Sequence, residues 1–88
     1  MKTFELIVSS PDGDLFRGDV QALIVRGTEG ELAVLADHIP FITAVKPCDA
    51  KIVMPDDNEK VAVLDGGLLT VSQSSVTLLS SGVRWKDQ

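Results

Sequence analysis

Apolar residues along this chain alternate with polar ones and do not recur every third or fourth position. Phe4, Leu6 and Val8 share one parity, as do Val20, Ala22 and Ile24, then Val61 and Val63, then Leu69 and Val71. A period of two is that of an extended strand with one face toward a core. Two stretches, residues 22–25 and 41–45, are apolar on both parities, the pattern of strands covered on both faces. Turn chemistry punctuates the chain at short intervals: SPDGD at 10–14, GTEG at 27–30, DHIP at 37–40, KPCD at 46–49, PDDNEK at 55–60, DGG at 65–67 and QSS at 73–75. Asp12-Gly13 marks a hairpin, and residues 55–60 read as a solvated tip between strands at 51–54 and 61–64.

No segment carries the ten or so residues of helical periodicity that a crossover between parallel strands requires, so the pattern excludes a parallel sheet. The expected fold is all-β: a flattened β-sandwich or barrel of about ten short, mostly antiparallel strands, without C-terminal helices. Residues 1–88 form one domain. Gly18 is expected at a bulge or bend. Gly66-Gly67, inside the apolar run VLDGGLLTV, predicts a positive φ or a close backbone approach where another chain packs. Trp85 is expected to cover an open end of the core, and residues 86–88 to fray.

Composition narrows the class. With 88 residues, 44% of them apolar and 24% charged, the chain has room for one ordinary core and buries about 60 to 65% of its unfolded surface. Its one cysteine, Cys48, cannot close an intramolecular disulfide and has no basic neighbour to activate it, so it reads as a structural thiol suited to a reducing compartment. A net charge of −5 and a pI near 4.5 disfavour nucleic acid and anionic lipid, which demand a basic stripe, and favour basic protein surfaces. Glu5 interrupts the N-terminal apolar run, leaving no signal-peptide core. Residues 66–83 carry no charge, but their serines and Gln73 make them too polar to span a membrane.

The single histidine, His38, follows Asp37 and is the obvious candidate for acid–base work. Neighbours on an extended strand point to opposite faces, however, and no Gly-x-Ser-x-Gly elbow accompanies it. A turn histidine bonding backbone or meeting a partner is the preferred reading. A metal site from Glu29, Glu31, Asp37 and His38 lacks a spaced second cluster, so the glutamates read as exposed turn carboxylates. Gly27 and Gly30 make no phosphate loop, since no Gly-Lys-Ser/Thr and no helix follow them. Arg17-Gly18-Asp19 is read as a chance tripeptide. No catalytic residue, cofactor site or metal site is expected; a binding or coupling module is.

The order of motifs adds a resemblance. FELIVSSPDGDLFRGDV near the start, VRGTEGELAVLADHIPFITAVKP in the middle and LDGGLLTVSQSSVTLL near the end closely resemble the N-terminal β-sandwich of the epsilon subunit of F-type ATP synthases, over essentially the whole chain. Two positions depart from it: Ala36-Asp37 stands where the family commonly has Pro-Gly, and Ala33 where it commonly has glycine. The resemblance implies a non-catalytic central-stalk subunit that holds gamma, stands on the loops of the membrane c-ring and couples proton flow to ATP synthesis. It implies residence at the cytoplasmic face of a bacterial inner membrane, or the stromal face of the thylakoid in a plastid. Glu29, Glu31, Asp37 and His38 are expected to form one contact edge toward the c-ring, and Gly66, Gly67 and Leu68 to touch gamma. The helical hairpin that restrains ATP hydrolysis, and binds ATP in some members, has no residues to reside in here, so little or no inhibitory function is expected. The alternative is a free-standing sandwich binding a protein or glycan, which would need exposed aromatics; the chain offers only Phe4, Phe16, Phe41 and Trp85.

Overall fold

The alternation read from the sequence becomes burial. In a computed structural model describing residues 2–86, Phe4, Leu6 and Val8 are buried while Glu5 and Ile7 between them are only half-buried. Ten strands follow in order: β1 Phe4–Ser10, β2 Gly13–Val20, β3 Ala22–Gly27, β4 Gly30–Leu35, β5 Phe41–Val45, β6 Cys48–Val53, β7 Glu59–Leu64, β8 Gly67–Val71, β9 Ser75–Leu79 and β10 Val83–Trp85. There is no helix among the described residues.

The strands form two layers. One runs β5-β8-β9-β1-β2, the other β10-β7-β6-β3 with β4 on the far side of β3, and the single pair Gly27 with Val45 joins them. Inward side chains from both layers meet in one core, in which Leu6, Leu23, Ile52, Leu69 and Leu78 are the largest fully buried residues. This is the expected all-β sandwich.

Four local expectations need correction. β1 and β9 pair in parallel, from Glu5 with Ser75 to Ser9 with Leu79. The exclusion of a parallel pair rested on crossover helices, which join strands consecutive in the chain; here β2 to β8 lie between the partners and the chain returns through the opposite layer. Gly18 sits in register opposite Leu6, and the bulge falls instead where the register shifts at Val8/Ser9. A Cβ at Gly18 would lie 3.4 Å from the Phe16 ring, so the glycine leaves room for that ring. Phe41–Val45 is not covered on both faces: Val45 is buried, but Ile42 is 67% exposed. Lys86 does not fray, since its N–H donates to the Val61 carbonyl at 2.8 Å and its Nζ reaches Asp49 at 2.8 Å. Residues 87 and 88, placed in the same frayed end, lie outside the described residues.

Other local readings hold. The tip at 54–58 is closed by Met54 N–H to the Asn58 carbonyl, with Asp57 at a φ of 72°. Trp85 is half-buried against the core, edge-to-face with Phe16 at 6.0 Å between centroids, and Lys60 Nζ lies 5.3 Å from a Trp85 ring centroid. Gly66 has a φ of +88°, and a Cβ on Gly67 would collide with the Leu79 carbonyl oxygen. The close approach is therefore to the chain's own β9 and not, as expected, to another chain.

Candidate docking surfaces

The β3–β4 hairpin turns on Thr28 and Glu29, between Gly27 and a Gly30 whose φ of +123° suits glycine. The turn lifts Glu29 into solvent. Glu31, the second residue of β4, stands opposite Arg26 and is also exposed. Neither glutamate has an ion-pair partner among the described residues, whereas Glu5, Asp14, Asp37, Asp49 and Glu59 each do. The tip is thus an acidic projection free to meet a cation from outside, with a shallow groove of about 380 Å³ between it and residues Phe41 to Thr43.

Asp37 and His38 do not join that tip. They follow the other end of β4, and at about 3.3 Å per residue Glu31 and Leu35 are on the order of 13 Å apart. Asp37 pairs with Lys2 at 3.0 Å. The His38 ring contacts the Leu35 and Ser72 carbonyls and stands edge-to-face against Phe4. The expected single edge is therefore two separate groups, because a whole strand intervenes between the loops that carry them. Among the described residues no three His, Cys, Asp or Glu side chains are grouped to hold a metal ion.

A second surface lies on the outer face of the layer β5-β8-β9. Ile42 is opposite Thr70 and Thr70 opposite Thr77; Ala44 is opposite Leu68 and Leu68 opposite Leu79. Their neighbours Leu69, Val71 and Leu78 point into the core, so the period of two turns Ile42, Ala44, Leu68 and Leu79 outward together. Ile42, Leu68 and Leu79 are 67%, 44% and 49% exposed. None of these residues is charged. A groove of about 450 Å³ beside them is lined by Pro11, Gly66, Gly67, Leu68 and Leu79 among others. Contiguous exposed apolar surface rimmed by polar groups marks an interaction site more often than it marks an ordinary surface.

Residues 3–86 match the family described as ATP synthase, Delta/Epsilon chain, beta-sandwich domain. The chain belongs to that family. An ATP synthase epsilon chain of Psychrobacter sp. (strain PRwf-1) is 40% identical to it over 80 residues, which are 91% of this chain and 58% of the relative. Among solved structures, a chain of the Euglena gracilis mitochondrial ATP synthase, OSCP/F1/c-ring in rotational state 1, superposes with a TM-score of 0.89 at 21% identity, over 94% of this chain and 53% of that one. A chain of the Tetrahymena thermophila mitochondrial ATP synthase central stalk and c-ring gives 0.74 at 13% identity, over 94% and 66%. At these identities the superpositions show a shared fold. The chain spans somewhat more than half the length of the epsilon chain and of the Euglena chain.

Within this delta/epsilon sandwich, the sequence pointed to Gly66 to Leu68 and to the glutamate tip as candidates but not to Ile42 and Leu79, which share the exposed apolar face with Leu68. Their signal was present. An apolar residue at 42, between inward Phe41 and Thr43, and the adjacent pair Leu78-Leu79 both break simple alternation.

Proposed function

We propose that the chain is a non-catalytic rotor component of a proton-translocating ATP synthase, standing in the central stalk between gamma and the c-ring and coupling proton flow to ATP synthesis. The observation that carries this reading, given the family, is the outward apolar face that the chain leaves uncovered at Ile42, Leu68 and Leu79. Burying it against gamma, with Gly66 and Gly67 keeping β8 flush against β9, gives a dry core to the contact. The acidic tip at Glu29 and Glu31 lies elsewhere on the molecule and faces basic c-ring loops, so the two partners do not compete. Asp37 and His38 flank that contact from the far end of β4, an edge strand paired on one side only.

A sandwich suits the task physically, since a close-packed core with short turns transmits torque without yielding. The complex would place the chain at the cytoplasmic face of a bacterial inner membrane. A glycan-binding role finds little support, because Phe4 is buried and Phe16, Phe41 and Trp85 are half-buried, leaving no exposed aromatic platform.

The test is reconstitution of stripped membranes with wild-type chain or Glu31→Lys, measuring proton pumping and membrane retention across a salt series. Rim ion pairs contribute about 1 kcal/mol or less and are screened, so retention is expected to fall up to about fivefold, most clearly as salt is raised. Unchanged retention and coupling at every salt concentration would remove Glu31 from the ring contact.

A further inference from the structure

Both ring nitrogens of His38 face a carbonyl oxygen. Nδ1 lies 2.5 Å from the Leu35 carbonyl and Nε2 lies 3.0 Å from the Ser72 carbonyl. A carbonyl oxygen only accepts, so each contact is favourable only where the nitrogen carries a proton. Neutral imidazole has one N–H, and the imidazolium has two. The ring is half-buried and held edge-to-face against Phe4, with centroids 5.6 Å apart and planes at 88°. Phe4 is itself 8% exposed and anchored in the core. That packing limits the freedom of the ring to turn one nitrogen toward water.

We propose that His38 is a protonation-dependent clasp that pins the bend between β4 and β5 to the turn between β8 and β9. With both nitrogens protonated it donates to Leu35 and to Ser72 at once. With one proton lost, a carbonyl faces a bare nitrogen lone pair, and the bend is released. No carboxylate is bonded to the ring among the described residues. The charged groups lining the same groove are Lys2 and Asp37, which pair with each other at 3.0 Å and are 73% and 77% exposed. Phe4 from β1, Leu35 from β4 and Ser72 from the β8–β9 turn bring no charge, so the second ring proton is held by carbonyl dipoles.

The consequence reaches the docking surface, because the bend carries Ile39, 81% exposed, and leads directly into Ile42. The clasp ties the order of this segment to whether both ring nitrogens carry a proton. It belongs to the free chain and stands whether or not gamma is the partner of the apolar face.

The test uses the isotope-labelled 88-residue chain without partners. At pH 5.5 the imidazole is expected to show two ring N–H proton signals protected from exchange with water, and at pH 8.5 only one. The clasp contributes only where both ring nitrogens carry a proton to donate. In urea titrations the folding equilibrium constant of wild type should exceed that of His38→Gln about tenfold at pH 5.5 and less than about threefold at pH 8.5, in keeping with a bond to a charged donor. Absence of two protected ring protons at pH 5.5, or an equal ratio at both pH values, overturns the clasp. The ring measurement needs no variant and stands even if His38→Gln folds poorly.

Discussion

Replacing Ile42 by threonine separates folding from docking. Complete burial of an isoleucine side chain is worth about 1.5–3 kcal/mol, and Ile42 is still 67% exposed in the free chain. Roughly 1–2 kcal/mol of that burial is therefore available only when a partner covers it. Threonine keeps the β-branch, faces Thr70 across the β5–β8 pair and gives up most of the apolar surface. The free chain should lose less than about 0.5 kcal/mol, because the position is exposed and the branched pair is retained. Affinity for a gamma-containing catalytic head should fall about 5- to 30-fold. The two numbers come from urea unfolding of the free chain and from calorimetric titration into the head. Unchanged affinity with an intact fold would refute the placement of gamma on this face. A stability loss above about 2 kcal/mol would refute the premise, by showing that the side chain was already buried.

Further outcomes follow from the packing. Gly67→Ala drives a Cβ into the Leu79 carbonyl, where backbone must move, so urea unfolding should show a loss of about 1–3 kcal/mol. Gly18→Ala meets only the Phe16 ring at 3.4 Å, and should cost less than Gly67→Ala in the same measurement. Leu69→Ala empties a fully buried site between the layers and should cost about 2–5 kcal/mol in urea unfolding. Lys2→Ala removes an ion pair whose partners are 73% and 77% exposed; the thermal midpoint should hardly change, as expected for an exposed pair.

The strands and most turns were legible because both are local: alternation reports which side chains share a face, and Gly, Pro, Asp and Ser report where the chain bends. The parallel pair of β1 with β9 left no such trace, because pairing between strands distant in sequence is set by how the layers close. Residues 41–45 were expected to be covered on both faces, yet Ile42 is 67% exposed, because apolar residues on both parities do not say whether the chain itself supplies the cover. Glu29 and Glu31 were rightly placed on a glycine turn, while grouping them with Asp37 and His38 ignored the length of the strand between. That His38 bonds backbone was the preferred reading of the sequence, but the second carbonyl it meets was not legible, since Ser72 approaches only once β8 and β9 are in place.

The central claim is that the apolar face of β5, β8 and β9 is the surface that gamma covers. Hydrogen exchange of the chain, free and bound to a gamma-containing head, tests it most directly. The account predicts that binding slows exchange in β5, in β8 and in the 79–82 segment, while the Thr28–Glu29 tip, left for the ring, exchanges as in the free chain. Protection confined to the tip or to β2 and β10, with β5 and β8 unchanged, would contradict it.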